Sequence, residues 1–341
     1  MPLSSPAYQH DQDREALNNP EKWYIRYLWL KHAKERCNKV GRGFIKFFTL
    51  PGVECFDIRL FKREGLLKTT DTGFDPESVA FCESTPERYA RIADLLPQVR
   101  RYPGSYEDLL GVGMPGFTER ADRWFPFDVI NLDFSGPGFN QPGRNTSKTA
   151  DAIKKTFRLQ KSKRSSFSIF ITLPANPLRD DESGKRQLEQ CLKTNLTGRR
   201  HPEFAKEFAI RFPATQRSGD PMYRILQYHE FLLIAVPKLV IKYGTEEWFL
   251  VTCQEKVTYR GEGHSTRMVS FCFQCEFIGL HDGYGSDPQG RKLANGYETN
   301  ILTALTTQET DVNRLFSSDA ELKGNYCKIR DNARKLYDTL I

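Results

Sequence analysis

An α/β protein built on a mostly parallel sheet is what this sequence predicts, and three observations predict it. Short apolar runs at 44–48, 78–83, 127–133 and 166–173 alternate with stretches of helical length. That alternation is what a parallel sheet with right-handed crossovers requires. The first three runs end in polar or turn-forming residues: Thr49-Leu50-Pro51-Gly52, Glu83, and Asn131-Leu132-Asp133. Finally, two longer runs, 248–259 and 267–278, flank Arg260-Gly261-Glu262-Gly263-His264, a spacing that suits an antiparallel hairpin.

The elements follow in order. A helix is expected over 20–38, with Pro20 in its first turn and Gly41-Arg42-Gly43 after its end. The strand at 44–48 stops at the Leu-Pro-Gly turn, and 54–67 reads as helical. The strand at 78–83 ends in an acid. A helix at 85–96 has Thr85 as its N-cap and Pro86 at its first position. Residues 106–109 belong to a loop. The strand at 127–133 opens into a Gly/Pro-rich loop, 134–143, and a basic helix at 148–159 leads to the strand at 166–173. Residues 176–220 are polar and read as an insertion. A long apolar helix at 223–243, stopped by Gly244, precedes the hairpin. The tail is polar and carries a last helix near 313–340. The expected organisation is an N-terminal helical extension at 1–43, an α/β domain at 44–278 and a C-terminal helical tail at 279–341.

Composition narrows the class. The chain has 341 residues, 39% hydrophobic and 27% charged, which is ordinary for a globular protein. No apolar run approaches the roughly 18–20 residues of a membrane span, and Met1-Pro2-Leu3-Ser4-Ser5 has no signal-peptide layout. A cytoplasmic location is therefore expected. Eight scattered cysteines, several in apolar runs, read as reduced core thiols. Cys272 and Cys275 form a lone CxxC inside a strand-like run, and no second ligand pair accompanies it, so no metal site is expected.

The net charge is +7, which is compatible with a polyanionic partner. Between Lys148 and Arg164 the sequence carries seven basic residues against one acid, Asp151. Lys154, Lys155, Arg158, Lys161, Lys163 and Arg164 are the candidates for phosphate contact. In the first helix, basic residues interleave with Trp23, Tyr24, Tyr27 and Trp29. This pattern suits base stacking and equally suits an aromatic stripe packed on a core.

Open α/β sheets bind ligands at the carboxyl ends of their strands, so the strand ends are the candidate site. Gly52, with Leu50 and Pro51, would let the backbone approach a ligand closely. Glu83 is placed to accept hydrogen bonds from a ribose diol, as the acid does in dinucleotide-binding folds. Asp108 could accept from an adenine amine, and Asn131 lies on the strand between. Asp133 could orient an amine about to be alkylated, with Phe134 stacked on its ring.

With these residues in this order, the chain resembles the class I, Rossmann-like methyltransferases that use S-adenosylmethionine (SAM). Asp128-Val129-Ile130-Asn131-Leu132-Asp133-Phe134-Ser135-Gly136 is similar to the catalytic strand and loop of the tRNA guanosine N2,N2-dimethyltransferase family. There an aspartate precedes Pro-Phe-Gly or Pro-Tyr-Gly. The segment from Tyr223 to Gly244, with the hairpin, resembles that family's last helix and strands. The three-cysteine-motif partner proteins of prokaryotes look alike in layout. The resemblance spans about 44–278 and implies SAM as cofactor, held by Leu50, Pro51, Gly52, Glu83, Asp108 and Asn131. It implies catalysis at Asp133 and Phe134, with nucleic acid, RNA before DNA, as substrate. Phe134 stands where the family has proline, Ser135 is inserted before Gly136, and the first loop has no Gly-x-Gly. These departures keep an alternative open: a catalytically inactive subunit that binds nucleic acid or a protein partner within a prokaryotic defence or modification complex.

Overall fold

A computed structural model describes residues 19–71, 73–134, 139, 148–178, 180–196, 201–217, 219–261, 266–279 and 288–338. The central sheet holds β1 (Phe47–Thr49), β2 (Val79–Glu83), β3 (Arg100–Pro103), β4 (Val129–Asp133), β5 (Phe167–Pro174), β6 (Phe249–Tyr259), β7 (Met268–Phe277) and the short β8 (Thr310–Asp311). Their spatial order is β3-β2-β1-β4-β5-β7-β6-β8. Strands β1 to β5 are parallel, and β7 runs antiparallel to both β5 and β6. The sheet thus reverses its winding between β1 and β4 and closes with one inverted strand. This is the mostly parallel, Rossmann-like sheet of class I methyltransferases, with its antiparallel hairpin at the end.

Register explains the two cores. Phe47 pairs with Val129 and Phe48 with Ile130, so alternate side chains leave on opposite faces. Phe47 and Val129 join Trp23, Trp29, Ile58, Phe61 and Ile92 under α1 (Pro20–Val40), α2 (Phe56–Arg63) and α3 (Pro86–Leu95). Phe48 and Ile130 join a core that includes Tyr106 of α4 (Tyr106–Leu109) and Ala121 of α5 (Glu119–Trp124). The same core takes Phe157 of α6 (Lys148–Ser162), Leu188 of α7 (Glu182–Leu196), Phe204 of α8 (Pro202–Arg211) and Leu232 of α9 (Tyr228–Glu246). Every residue of β5 is buried, as a strand covered on both faces must be.

The first helix is part of the domain's cover. Asn19 caps it by accepting from the Lys22 backbone N–H at 2.7 Å, and Gly41 ends it in the left-handed conformation at φ 73°. Trp29 stacks on Phe170 of β5, ring centroids 6.3 Å apart. Lys31, Lys34 and Lys39 pair with Glu255, Glu64 and Glu276. The aromatic residues Trp23 and Trp29 therefore form a packed stripe, not an open stacking surface.

Some elements differ from the sequence reading. Strand β3 has no counterpart in the sequence reading, and its side chains, Arg100-Arg101-Tyr102-Pro103, are those of a half-exposed edge with no apolar alternation; residues 106–109, expected as loop, form the short helix α4. The helix expected at 223–243 is two: a turn at Met222–Ile225, then α9, whose start is tied by the Gln227 backbone N–H donating to Glu230 at 3.1 Å. Gly244 does not end α9, which continues to Glu246. A Cβ there would stand 2.2 Å from Val251 Cγ2, so glycine serves close approach of helix to strand. The tail holds α10 (Pro288–Thr306), which the sequence reading lacks, then α11 (Val312–Ser318) and α12 (Ala320–Asp338). Cys272 belongs to one core and Cys275 to the other, so the two thiols face opposite sides of the sheet. Among the described residues, no helix is long and apolar enough to cross a membrane.

Candidate functional site at the strand ends

At the switch between β1 and β4 a small cleft is lined by Arg26, Trp29, Leu50, Gly52, Glu54, Cys55, Phe56, Asp57 and Asp133. Three residues named from sequence, Leu50, Gly52 and Asp133, meet there. Pro51 is buried beside them. The loop is fixed by the Leu50 N–H donating to the Asn131 carbonyl at 3.0 Å and the Cys55 N–H donating to the Gly52 carbonyl at 2.9 Å. Cys55 takes φ +50°, a left-handed conformation rare for a residue with a Cβ, where the loop turns into α2.

Beneath the cleft lies a buried polar ladder. Thr49 Oγ1 donates to Asp57 Oδ2 at 2.5 Å, and Asn131 Nδ2 reaches both Thr49 Oγ1 and Asp57 Oδ2 at 3.3 Å. Burial raises the Asp57 carboxyl, against the hydrogen bond from Thr49 and the charge of Arg26. The Asn131 Oδ1 atom is buried and accepts no hydrogen bond from the described residues.

The carboxylate of Asp133 is engaged. Lys22 Nζ, from α1, lies 2.6 Å from Asp133 Oδ1, and the two side chains are 4% and 15% exposed. The same ammonium donates to Tyr259 Oη at 3.3 Å and sits 4.9 Å from the Trp29 ring centroid and 5.8 Å from that of Tyr259. Burial lowers the Lys22 pKa; Asp133 opposes that shift. Burial also brings Arg26 down to about 10, and it pushes the Tyr259 phenol well above its ordinary value. Lys22, Asp57 and Tyr259 were not named from sequence as site residues, and Arg26 and Trp29 entered only through the basic and aromatic pattern of the first helix. A lysine 111 residues before its aspartate has no local pattern; only the fold brings them together.

The remaining named residues lie outside the cleft. Glu83 ends β2, half-buried, and accepts the Thr85 N–H at 2.7 Å through Oε1; its other oxygen bonds none of the described residues. Asp108 is exposed in α4, where Ser105 Oγ donates to it at 2.9 Å. Phe134 is partly buried against the core, its N–H donating to the Thr172 carbonyl at 3.0 Å. The loop glycines Gly136 and Gly138 lie outside the described residues.

The basic helix is largely neutralised. Lys154 pairs with Glu246 at 2.8 Å, Arg158 and Lys161 with Glu247 at 2.9 and 3.1 Å, and Lys163 with Asp122 at 3.0 Å. Arg164 turns the chain at φ 52°. Lys155 is 8% exposed. It donates to the carbonyls of Leu110, Gly111, Met114 and Gly116, so it is no part of an exposed phosphate-binding face. Lys155→Met should therefore cost about 3 kcal/mol, since it leaves carbonyls without a charged donor. Urea unfolding checks this; an unchanged midpoint would return Lys155 to the solvent-facing set.

Sheet order and strand-end cleft together define a Rossmann-like α/β protein. The chain belongs to the PP_RS20740-like family, whose model matches residues 116–338. That match names neither of the two families that the short sequence patches resemble. No curated protein sequence matches the chain. Among solved structures it is similar to Burkholderia thailandensis 1,6-didemethyltoxoflavin-N1-methyltransferase with bound 1,6-didemethyltoxoflavin and S-adenosylhomocysteine. Identity is 11%, over 81% of this chain and 92% of that one, with a TM-score of 0.32. A superposition that loose says nothing about this chain's ligand.

Proposed function

We propose that this chain binds SAM along the carboxyl ends of β1, β2 and β4 and transfers its methyl group to an acceptor held against Asp133. The observation that carries this reading is the convergence of Leu50, Gly52, Arg26 and Asp133 on one cleft at the point where the sheet reverses its winding, the place where such sheets bind ligands.

The residues present fit the cofactor in parts. Arg26, with the N-terminus of α2 that begins at Phe56, suits an amino-acid carboxylate. Glu83 has a carboxylate oxygen to spare for a ribose diol. Arg26, Leu50 and Gly52 would face the amino-acid end, and the nucleoside would lie outside the cleft, toward Glu83 and Asp108. The cofactor, when bound, supplies an electrophilic methyl group. The chain's own residues align an acceptor and receive its proton, which is most of what methyl transfer needs.

Calorimetry with SAM and S-adenosylhomocysteine tests the reading. Binding is expected, and Glu83→Ala should weaken it by about 1.5–3 kcal/mol, the worth of a hydrogen bond to a charged group. No heat with either ligand would refute the cofactor, and unchanged affinity in the variant would remove Glu83 from the site.

The ion pair of Lys22 with Asp133 at 2.6 Å favours a second reading, in which the acceptor end is filled and the chain serves as a non-catalytic binding subunit. SAM binding without transfer of labelled methyl to RNA, DNA or small amines would decide for it. Nucleic acid remains one proposed acceptor, although the acids facing α6 leave that helix with little charge to offer phosphates.

A further inference from the structure

We propose that Trp29, Tyr259 and Asp133 form a cage for an aliphatic ammonium, which Lys22 fills from within, and that the acceptor this site takes is a primary alkylamine. The second half of that statement rests on the methyl-transfer reading above; the first does not.

The Lys22 side chain is a bound ligand in all but its covalent attachment. Its ammonium meets one carboxylate at 2.6 Å and one phenol at 3.3 Å. Two aromatic rings lie within cation–π range, at 4.9 and 5.8 Å. Carboxylate, hydroxyl and ring faces around one nitrogen are the chemistry that recognises an alkylammonium. An aryl amine of a nucleobase is planar and uncharged, and it would gain little from the rings' attraction for a cation. Two walls of the cage, Trp29 and Asp133, also line the cleft, so an ammonium entering from the cleft would meet the same carboxylate. Arg26, Asp57 and Glu21 are the other buried ionisable groups close by. Asp57 is held by Thr49 and Asn131, and Asp133 is the carboxylate within hydrogen-bond distance of the Lys22 ammonium.

The chemistry balances. An alkylammonium gives one proton to Asp133 and becomes the free amine. Its lone pair forms the new N–C bond while the bond between the methyl carbon and the donor's sulfur breaks, the electron pair staying on sulfur. The product is the N-methylammonium, and Asp133 returns its proton to solvent.

Lys22→Ala removes every side-chain atom beyond Cβ, and n-propylammonium replaces those atoms. With no SAM present, n-propylammonium chloride should raise the Tm of Lys22→Ala by several degrees in a concentration-dependent way, through mass action. It should shift the wild type far less, because the tethered Lys22 ammonium competes for the same cage, and 1-propanol, the uncharged counterpart, should not substitute. The Lys22→Ala, Asp133→Asn double variant should lose the response. If Lys22→Ala does not fold alone, its recovery from urea with and without n-propylammonium takes the place of the Tm: recovery only with the amine supports the cage, and equal failure in both overturns it. A folded Lys22→Ala that ignores the amine also overturns it. With SAM added, Lys22→Ala should form N-methylpropylamine. Amine binding without that product leaves the cage standing, and it removes the alkylamine as acceptor. The separate SAM titration of the wild type then tells whether the cofactor reading has failed as well.

Discussion

Asp133→Ala should abolish methyl transfer, with a loss on the order of 10²–10⁴-fold for a removed general base, while SAM affinity changes little. Asp133→Asn should be nearly as damaging, because the amide keeps one acceptor oxygen and cannot take the proton. The same variants have a second effect that does not depend on turnover. Lys22, 4% exposed at its side chain, would lose the carboxylate it is paired with and keep the Tyr259 hydroxyl. Breaking a buried pair from one side costs about 3–5 kcal/mol. Burial already lowers the Lys22 pKa against the pull of Asp133, and without Asp133 it falls further. A lysine whose folded pKa is depressed binds fewer protons folded than unfolded, up to its ordinary value near 10.5. Stability therefore rises with pH across that window, and it should rise more steeply in Asp133→Ala than in the wild type. Urea midpoints at pH 7 and pH 9 read the difference; parallel lines would mean that Lys22 is not the group left exposed to the loss. Lys22→Met should cost less, because Asp133 is the more exposed partner and can recover water.

How much of this was legible beforehand depends on whether the signal is local. Strand ends are local: Leu50, Gly52 and Asp133 close apolar runs, and the cleft they share follows from parallel strands pointing the same way. The hairpin of β6 and β7 was legible because both strands are long and apolar, although the bulge between Cys253 and Glu255 leaves no mark in the pattern. Strand β3 was not, since an edge strand of Arg100-Arg101-Tyr102-Pro103 needs no buried face. Charge was the least legible property. The basic residues of α6 are plain in the sequence, while the glutamates that neutralise them, Glu246 and Glu247, sit about 90 residues on, at the end of α9. Lys155 looks like its neighbours in sequence, and only the loop at 110–116 wrapping its ammonium separates it from them. Lys22 is the same case at the site itself. It lies in α1, before the segment that the family model matches, and its partner Asp133 lies within it.

Lys238→Met should stabilise the protein at neutral pH. Lys238 stands in the middle of α9, 2% exposed. Its ammonium donates to the Tyr297 hydroxyl of α10 and lies over that ring, and no carboxylate pairs with it among the described ion pairs. Burial brings its pKa down to about 8, with the Cys191 thiol of α7 and Glu246 opposing the fall and Lys242 adding to it. Folding therefore favours the neutral amine. Below about pH 8 the group is charged in both states, and the folded protein carries the whole desolvation cost, about 3 kcal/mol for a displacement of that size. As the pH rises from about 8 toward 10.5 the folded state sheds its proton first, and the cost is relieved. Methionine fills a similar volume with no charge to bury. Against it stands one hydrogen bond to Tyr297, about 1 kcal/mol. Lys238→Met should thus be more stable than the wild type by about 2 kcal/mol at pH 7, and the two should converge or cross near pH 10. Lys22 and Lys256 are also depressed by burial, so wild-type stability rises with pH in both proteins, and only the difference between them isolates Lys238. Urea unfolding of the pair at pH 7 and pH 10 makes the measurement. A variant less stable than the wild type by the same amount at both values would mean that the Tyr297 contact, not the buried charge, dominates at that position.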